Sequence, residues 1–235
     1  MKILSIDSAL DTFCVSVSED DSVIFETVCI RPRAQLKCLA GAVDNAFSMS
    51  GVSKKDIGLV AVTKGPGSFT GIRLAETTAM TVAQILSVPV APVCTLDAVY
   101  ASLPDIGGRT AVAFDARKGE IFAAFYCNGE RISEYEAFSP EGFAEYASSI
   151  GAERVTGNAL AKYGDMIREA LPSAFFYEKD FWYPRGRGMA SLALKMHGAG
   201  ESVSCYEVRP FYMRKPEAEE AREKRLAEGL EKNEL

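Results

Sequence analysis

Three observations predict an α/β fold made of two related halves. The chain has 235 residues, 48% hydrophobic and 25% charged, which suits a soluble globular protein with an ample core. Short apolar runs alternate with stretches of helical spacing along its length. A β-Asp-turn-β-turn-β meander opens the chain, and a second one opens after a pause at PDIGG (104–108).

In order, KILSID is a strand that ends in the acidic turn SALDT. FCVSVSED alternates apolar and polar residues, and SVIFETVC follows a turn at Asp20-Asp21, so the first 28 residues predict three sequential strands. Leu36, Leu39, Val43, Ala46 and Phe47 lie at helical spacing, predicting a helix over 34–49. GLVAVTKG (58–65) is apolar enough for an inner, buried strand. GPGSFTG (65–71) leads into a helix over 71–87, VPVAPV (88–93) predicts a strand, and TLDAVYASL a helix with Thr95 as N-cap.

After the pause, RTAVAFDA, the turn ARKG, EIFAAFYCN, the turn NGE and RISEYEAF repeat the opening pattern, with Asp115 standing where Asp7 stood. SPEGFAEYASSI and ALAKYGDMIREAL predict helices, ERVTGN and SAFFYE extended segments, and 188–197 a last helix before YEVRPFYMRKP. This divides the chain into a first half (1–105), a second half (106–215) and a charged tail (216–235), too poor in large apolar residues for a core helix.

A formal net charge of -6 argues against a broad basic surface, so any contact with RNA is expected through a partner. The six cysteines are scattered with no CxxC pair, which excludes a zinc knuckle or thioredoxin-type site and fits reduced, buried thiols. MKILSID lacks a signal-peptide apolar region, and no apolar run approaches the ~20 residues that cross a bilayer. A cytoplasmic protein is expected.

GPGSFTG lacks the Lys of a G-x-x-x-x-G-K-[ST] phosphate loop, and its third glycine falls one position late for G-x-G-x-x-G. It therefore reads as a sharp strand-to-helix turn with Ser68 or Thr70 as the helix cap, while a weak phosphate role for its N–H groups stays open. Asp7 and Asp115 could face each other across a cleft and hold hydrated magnesium, or each could simply start a turn. His197 is the single histidine and sits near a helix end, where capping or dipole roles are usual; no G-x-S-x-G elbow exists. The small residues Ala75, Ala79 and Ala83, with Leu36, Leu39, Val43 and Phe47, offer two helices with a face for a partner.

Four blocks in order, ILSIDSALDTFCVSV, VAVTKGPGSFTGIRL, AFDARKGEIFAAFY and VRPFYMRK, resemble the TsaB (YeaZ) family over residues 1 to about 215, and GPGSFTGIR is the most specific of them. The resemblance implies two ribonuclease-H-like halves of the actin/sugar-kinase/Hsp70 ATPase superfamily, with mixed sheets flanked by helices. It implies a non-catalytic subunit that pairs with TsaD in threonylcarbamoyl transfer to the adenosine next to the tRNA anticodon. TsaE joins that complex, TsaC makes the donor, and tRNA is met only through the complex. The partner interface would hold Leu36, Leu39, Val43, Phe47, Arg73, Ala75, Ala79 and Ala83. No cofactor is expected to bind firmly to this chain alone; ATP or ADP with magnesium would lie near Asp7, Gly67, Ser68 and Thr70 at the subunit junction. Pro32-Arg33-Ala34-Gln35-Leu36 stands where many relatives carry a PRGHSE-like segment, and Asp7-Ser8-Ala9 replaces Asp-Thr-Ser. The competing functions are a stand-alone nucleotide hydrolase or glycoprotease-like peptidase, and a homodimeric binding module.

Overall fold

The first three strands, β1 (Lys2–Asp7), β2 (Phe13–Glu19) and β3 (Ser22–Cys29), pair antiparallel as a meander. The coordinates are those of a computed structural model, which describes residues 1–30 and 34–214. Of the PRAQL segment, Pro32 and Arg33 lie outside the described residues, as does the charged tail. Helix α1 (Gln35–Ser50) leads to β4 (Ile57–Thr63), and α2 (Phe69–Leu86) to β5 (Val90–Val93). Both strands add parallel to β1, giving the order β3-β2-β1-β4-β5. The almost wholly apolar sequence of β4 follows from that central place, where both faces are covered.

The second sheet repeats this plan. After α3 (Thr95–Ala101), β6 (Arg109–Arg117) and β7 (Glu120–Cys127) form the new hairpin, with β8 (Glu130–Arg131) and β9 (Glu136–Phe138) on β7. Helix α4 (Pro140–Ser149), β10 (Arg154–Thr156), α5 (Leu160–Ala170) and β11 (Phe175–Phe176) complete the order β11-β10-β6-β7-β8. Strands β10 and β11 run parallel to β6, as β4 and β5 do to β1.

Each sheet carries its own core. Leu4, Val17, Val60 and Val62 pack under α1 and α2 in the first, and Ile121, Phe125, Phe143 and Ile167 fill the second. A third cluster, with Leu10, Leu96 and Val99 of the first half against Phe114, Phe122 and Tyr126 of the second, joins them. There Asp97 of α3 accepts hydrogen bonds from Tyr126 (2.7 Å) and Tyr135 (2.6 Å), so a half-buried polar joint fastens the halves.

Two expected details differ. Thr95 is not a cap: its N–H donates to Gly65 O at 2.8 Å, and its buried hydroxyl has no partner. RISEYEAF is not one strand but β8 and β9, because Ser133 Oγ accepts the Phe125 N–H at 3.0 Å where a ladder carbonyl would otherwise stand.

Helix α6 (Gly186–Gly198), expected with the second half, lies against the first sheet, with Ala190 and Ala193 on Ile3, Leu59, Ala61 and Ala91. Glu26 of β3 holds its start: Oε1 accepts the Gly186 N–H at 2.6 Å, while Oε2 accepts from Arg185 Nε (3.0 Å) and Nη2 (2.6 Å). Among the described residues no helix is long and apolar enough to cross a membrane, and all six cysteines are free.

Glu26 thus supplies both the N-cap and the ion pair that dock α6. Glu26→Ala is expected to lower unfolding free energy by about 2 kcal/mol in urea titration, and Glu26→Gln, which can still cap Gly186, by less than half of that. An alanine variant as stable as wild type would remove Glu26 from this role.

Candidate functional site

The GPGSFTG loop is fastened to the β1–β2 turn. Ser68 N donates to Ala9 O at 2.6 Å, and Ser8 Oγ donates to Gly71 O at 2.7 Å. A Cβ on Gly67 would stand 2.1 Å from Ala9 O, and one on Gly71 2.0 Å from Ser8 O, so only glycine permits this contact. Ser68 caps α2, its Oγ accepting the Gly71 N–H at 3.3 Å; Thr70 is exposed and makes no cap. Two amide donors of the loop are therefore spent within the chain.

Asp7 lies beneath this contact, fully buried. Its Oδ1 accepts from Thr63 Oγ1 at 2.6 Å and from Ala9 N at 3.1 Å, and Oδ2 has no partner. Burial raises its pKa to about 6, against the lowering pull of those two hydrogen bonds. Of the two readings left open for Asp7, the structure agrees with the turn: Asp7 accepts the Ala9 N–H and is sealed under its own turn, and Asp11 is the acid of that turn that reaches the cleft.

That cleft, of about 520 Å³, opens between the halves. Asp11, the Gly67–Thr70 stretch and the exposed ring of Phe69 form one wall. Asp115, Arg117 and Asn158 form the other, and Tyr212 and Arg214 the rim. Asp115 N donates to Asn158 Oδ1 at 3.0 Å, and Asp115 Oδ1 accepts from Arg117 N at 2.9 Å. Arg214 is paired with Glu120 and donates to Ala116 O at 2.8 Å. With Asp11 and Asp115 balancing Arg117 and the paired Arg214, this lining lacks the excess positive charge of a phosphate cradle. Among the described residues, no three His, Cys, Asp or Glu side chains stand where they could share a metal ion. His197 Nδ1 lies 2.9 Å from Ser202 Oγ at the end of α6.

The two helices expected to meet a partner turn a different face outward from the one expected. Leu39, Val43, Phe47, Ala75, Ala79 and Ala83 are all buried in the first core. The apolar stripe of an amphipathic helix belongs to its own sheet, and here the sheet takes all six. Leu36 and Arg73 remain at the surface. The outward stripe of α2 holds Thr77, Thr81 and Ile85, the last 75% exposed.

The segment after α6 returns along another flank of α2. Val203 bridges to Val90, Tyr206 Oη accepts from Gln84 Nε2 at 3.0 Å, and Phe211 N donates to Lys64 O at 2.7 Å. Tyr212 stacks on Phe69 at 5.1 Å and accepts from Arg73 Nε at 3.0 Å. Asp11, Arg117, Asn158, Tyr212 and Arg214 were not singled out from sequence. Asn158 follows β10 as the glycine loop follows β4, and that internal echo was the signal for it.

Two sheets of one topology, joined by a buried core with a cleft between them, define a two-halved α/β protein. A family model described as TsaD, tRNA N6-adenosine threonylcarbamoyltransferase, matches residues 30–184. A protein of Escherichia coli named tRNA threonylcarbamoyladenosine biosynthesis protein TsaB is 30% identical over 224 residues, covering 91% of this chain and 95% of that protein. The solved structure of YeaZ from Pseudomonas aeruginosa superposes with a TM-score of 0.75 at 21% identity, covering 90% of this chain and 99% of that one. The ethanolamine utilization protein EutJ of Carboxydothermus hydrogenoformans shares the fold at a TM-score of 0.53 and 10% identity, over 82% of this chain and 90% of that one. The chain belongs to the TsaB (YeaZ) family.

A raised carboxyl pKa costs stability as pH climbs. In the folded chain Asp7 keeps its proton up to about 6, whereas unfolded it loses it near 3.8, so its contribution is full below 3.8 and is lost as pH rises through 6. The stability difference between Asp7→Asn and wild type should therefore shift in the variant's favour by on the order of 3 kcal/mol between pH 3.5 and 7. Parallel stability–pH curves in urea titrations would show that Asp7 titrates normally.

Proposed function

We propose that this chain is a non-catalytic subunit of the tRNA threonylcarbamoyladenosine system, pairing with TsaD and supporting its transfer of threonylcarbamoyl to the adenosine next to the anticodon. The observation that carries this reading is the relationship to a TsaB-named protein along 91% of the chain. The arrangement of α1 and α2 agrees with it: both helices spend their apolar stripes on the first core and still present Leu36 and Ile85 to solvent. Thr77 and Thr81 are short enough for a second helix to approach α2, the role first given to Ala75, Ala79 and Ala83.

In this reading the chain works in the cytoplasm, meets tRNA only through the complex, and joins TsaE there. A homodimer through the same helices forms when TsaD is absent. A net charge of -6 supports the indirect contact with RNA. The chain holds no nucleotide firmly by itself, a view supported by the loop amides spent on Ala9 O and Ser68 Oγ. ATP or ADP with magnesium belongs to the assembled complex, near the start of α2.

Thr77→Glu, Thr81→Glu and Ile85→Glu place a charge on the outward stripe. At least one should weaken TsaD binding by two orders of magnitude or more in calorimetry without moving the thermal melt, since burying an unpaired charge in an interface costs several kcal/mol. Ala79→Glu, aimed into the core, should unfold the chain instead. Wild-type affinity in all three folded variants would show that α2 is not the interface. Undiminished modification when this chain is omitted from a mixture of TsaC, TsaD, TsaE and tRNA would refute the subunit role itself.

A further inference from the structure

Residues 203–213 form a strap over one flank of α2, and a buried carboxyl group lies on that same flank of the helix. The strap's anchors on α2 are Gln84 at one end and Arg73 with Phe69 at the other. Spacing of three and four residues puts Phe69, Arg73, Glu76, Met80 and Gln84 on a single face, so Glu76 falls midway under the span. Its burial agrees: Glu76 is 6% exposed, whereas Thr77 beside it is exposed. Val208 of the strap is buried in the same cluster as Ala75 and Ala79.

Among the described residues, Glu76 Oε1 has no hydrogen-bond partner. The charged groups acting on Glu76 are Arg73 of α2 and Lys64 at the end of β4. Arg73 is engaged elsewhere, its Nε on Tyr212 and its guanidinium 4.2 Å from the centre of the Phe69 ring. On the strap, Arg209 donates to the carbonyls of Tyr206 and Val208, and Glu207 accepts from Ser204 N, so both charges are turned to their own segment. A neutral carboxyl fits this place, whereas an ionised one leaves the buried Oε1 without a hydrogen bond, with only the charges of Arg73 and Lys64 to offset its burial.

We propose that Glu76 is a proton-operated latch: neutral, it lets the strap close over α2; ionised, it favours release of the strap into solvent. Burial raises the Glu76 pKa to about 7, against the lowering pull of Arg73 and Lys64, so the latch works around neutral pH. Release has two consequences. It removes Tyr212 and Met213 from the cleft, and it frees Arg73 at the edge of the outward face of α2. Cleft and helix face are thereby coupled through one segment.

Amide hydrogen exchange, corrected for intrinsic rates, tests this on the whole chain. If opening returns Glu76 from about 7 to its ordinary 4.5, strap opening at Val203 and Phe211 rises on the order of 20-fold from pH 5.5 to 8. Amides of Leu4 and Val62 in the first sheet serve as the reference for global opening. Glu76→Gln, of the same shape and without charge, should show no such rise, and Glu76→Leu should match it, so one variant still decides if the other fails to fold. A strap whose corrected protection stays flat with pH in wild type, or rises equally in the folded variants, overturns the latch.

Discussion

One tight constraint in the molecule is the meeting of two turns, SALDT after β1 and GPGSFTG after β4. Carbonyl oxygens of Ser8 and Ala9 occupy the space where side chains at positions 71 and 67 would begin. Much else depends on that contact. It fixes where α2 starts, places Ser68 to cap it, and seals Asp7 from water. It also sets one wall of the cleft, and through Lys64 O it anchors the end of the strap.

The two halves share a topology but not this contact. In the second half the loop after β10 meets β6 itself, with Gly157 against Ala113 O, so the end of β6 stays at the cleft, where Asp115 N donates to Asn158 Oδ1 and Asp115 Oδ1 accepts from Arg117 N. A loop of GPGSFTG composition would ordinarily suggest a cradle for phosphate. Here its backbone recognises the chain's own carbonyls instead, which fits a subunit that presents a rigid surface. Rigidity is further supported by the joint at Asp97 and by the return of α6 to the first sheet under Glu26.

Much of this was legible in the sequence. The meander, the buried β4 and its repetition around Asp115 follow from residue alternation and turn chemistry, which are local properties. Function was legible through GPGSFTGIR and its companion blocks. The orientation of α1 and α2 was misread because an apolar stripe marks the face a helix buries, and nothing local says whether its own sheet or a partner does the burying. Asp7 stayed between two readings for a related reason: an Asp after a strand can reach a cleft or lie under its own turn, and the approach of a loop some sixty residues later decides which. Glu76 left a trace that spacing could have exposed, a charge four residues from Ile72 and three from Ala79 on the apolar face of α2.

The claim that the glycine loop is closed on its own turn meets its most direct test in amide NMR of the isolated chain titrated with magnesium ATP and magnesium ADP. A loop already satisfied by Ala9 O and Ser68 Oγ predicts no saturable binding below the millimolar range, with the signals of Ser68 and Gly71 unmoved. Saturable micromolar binding that shifts those two signals would contradict it, and would make GPGSFTG a phosphate-binding loop.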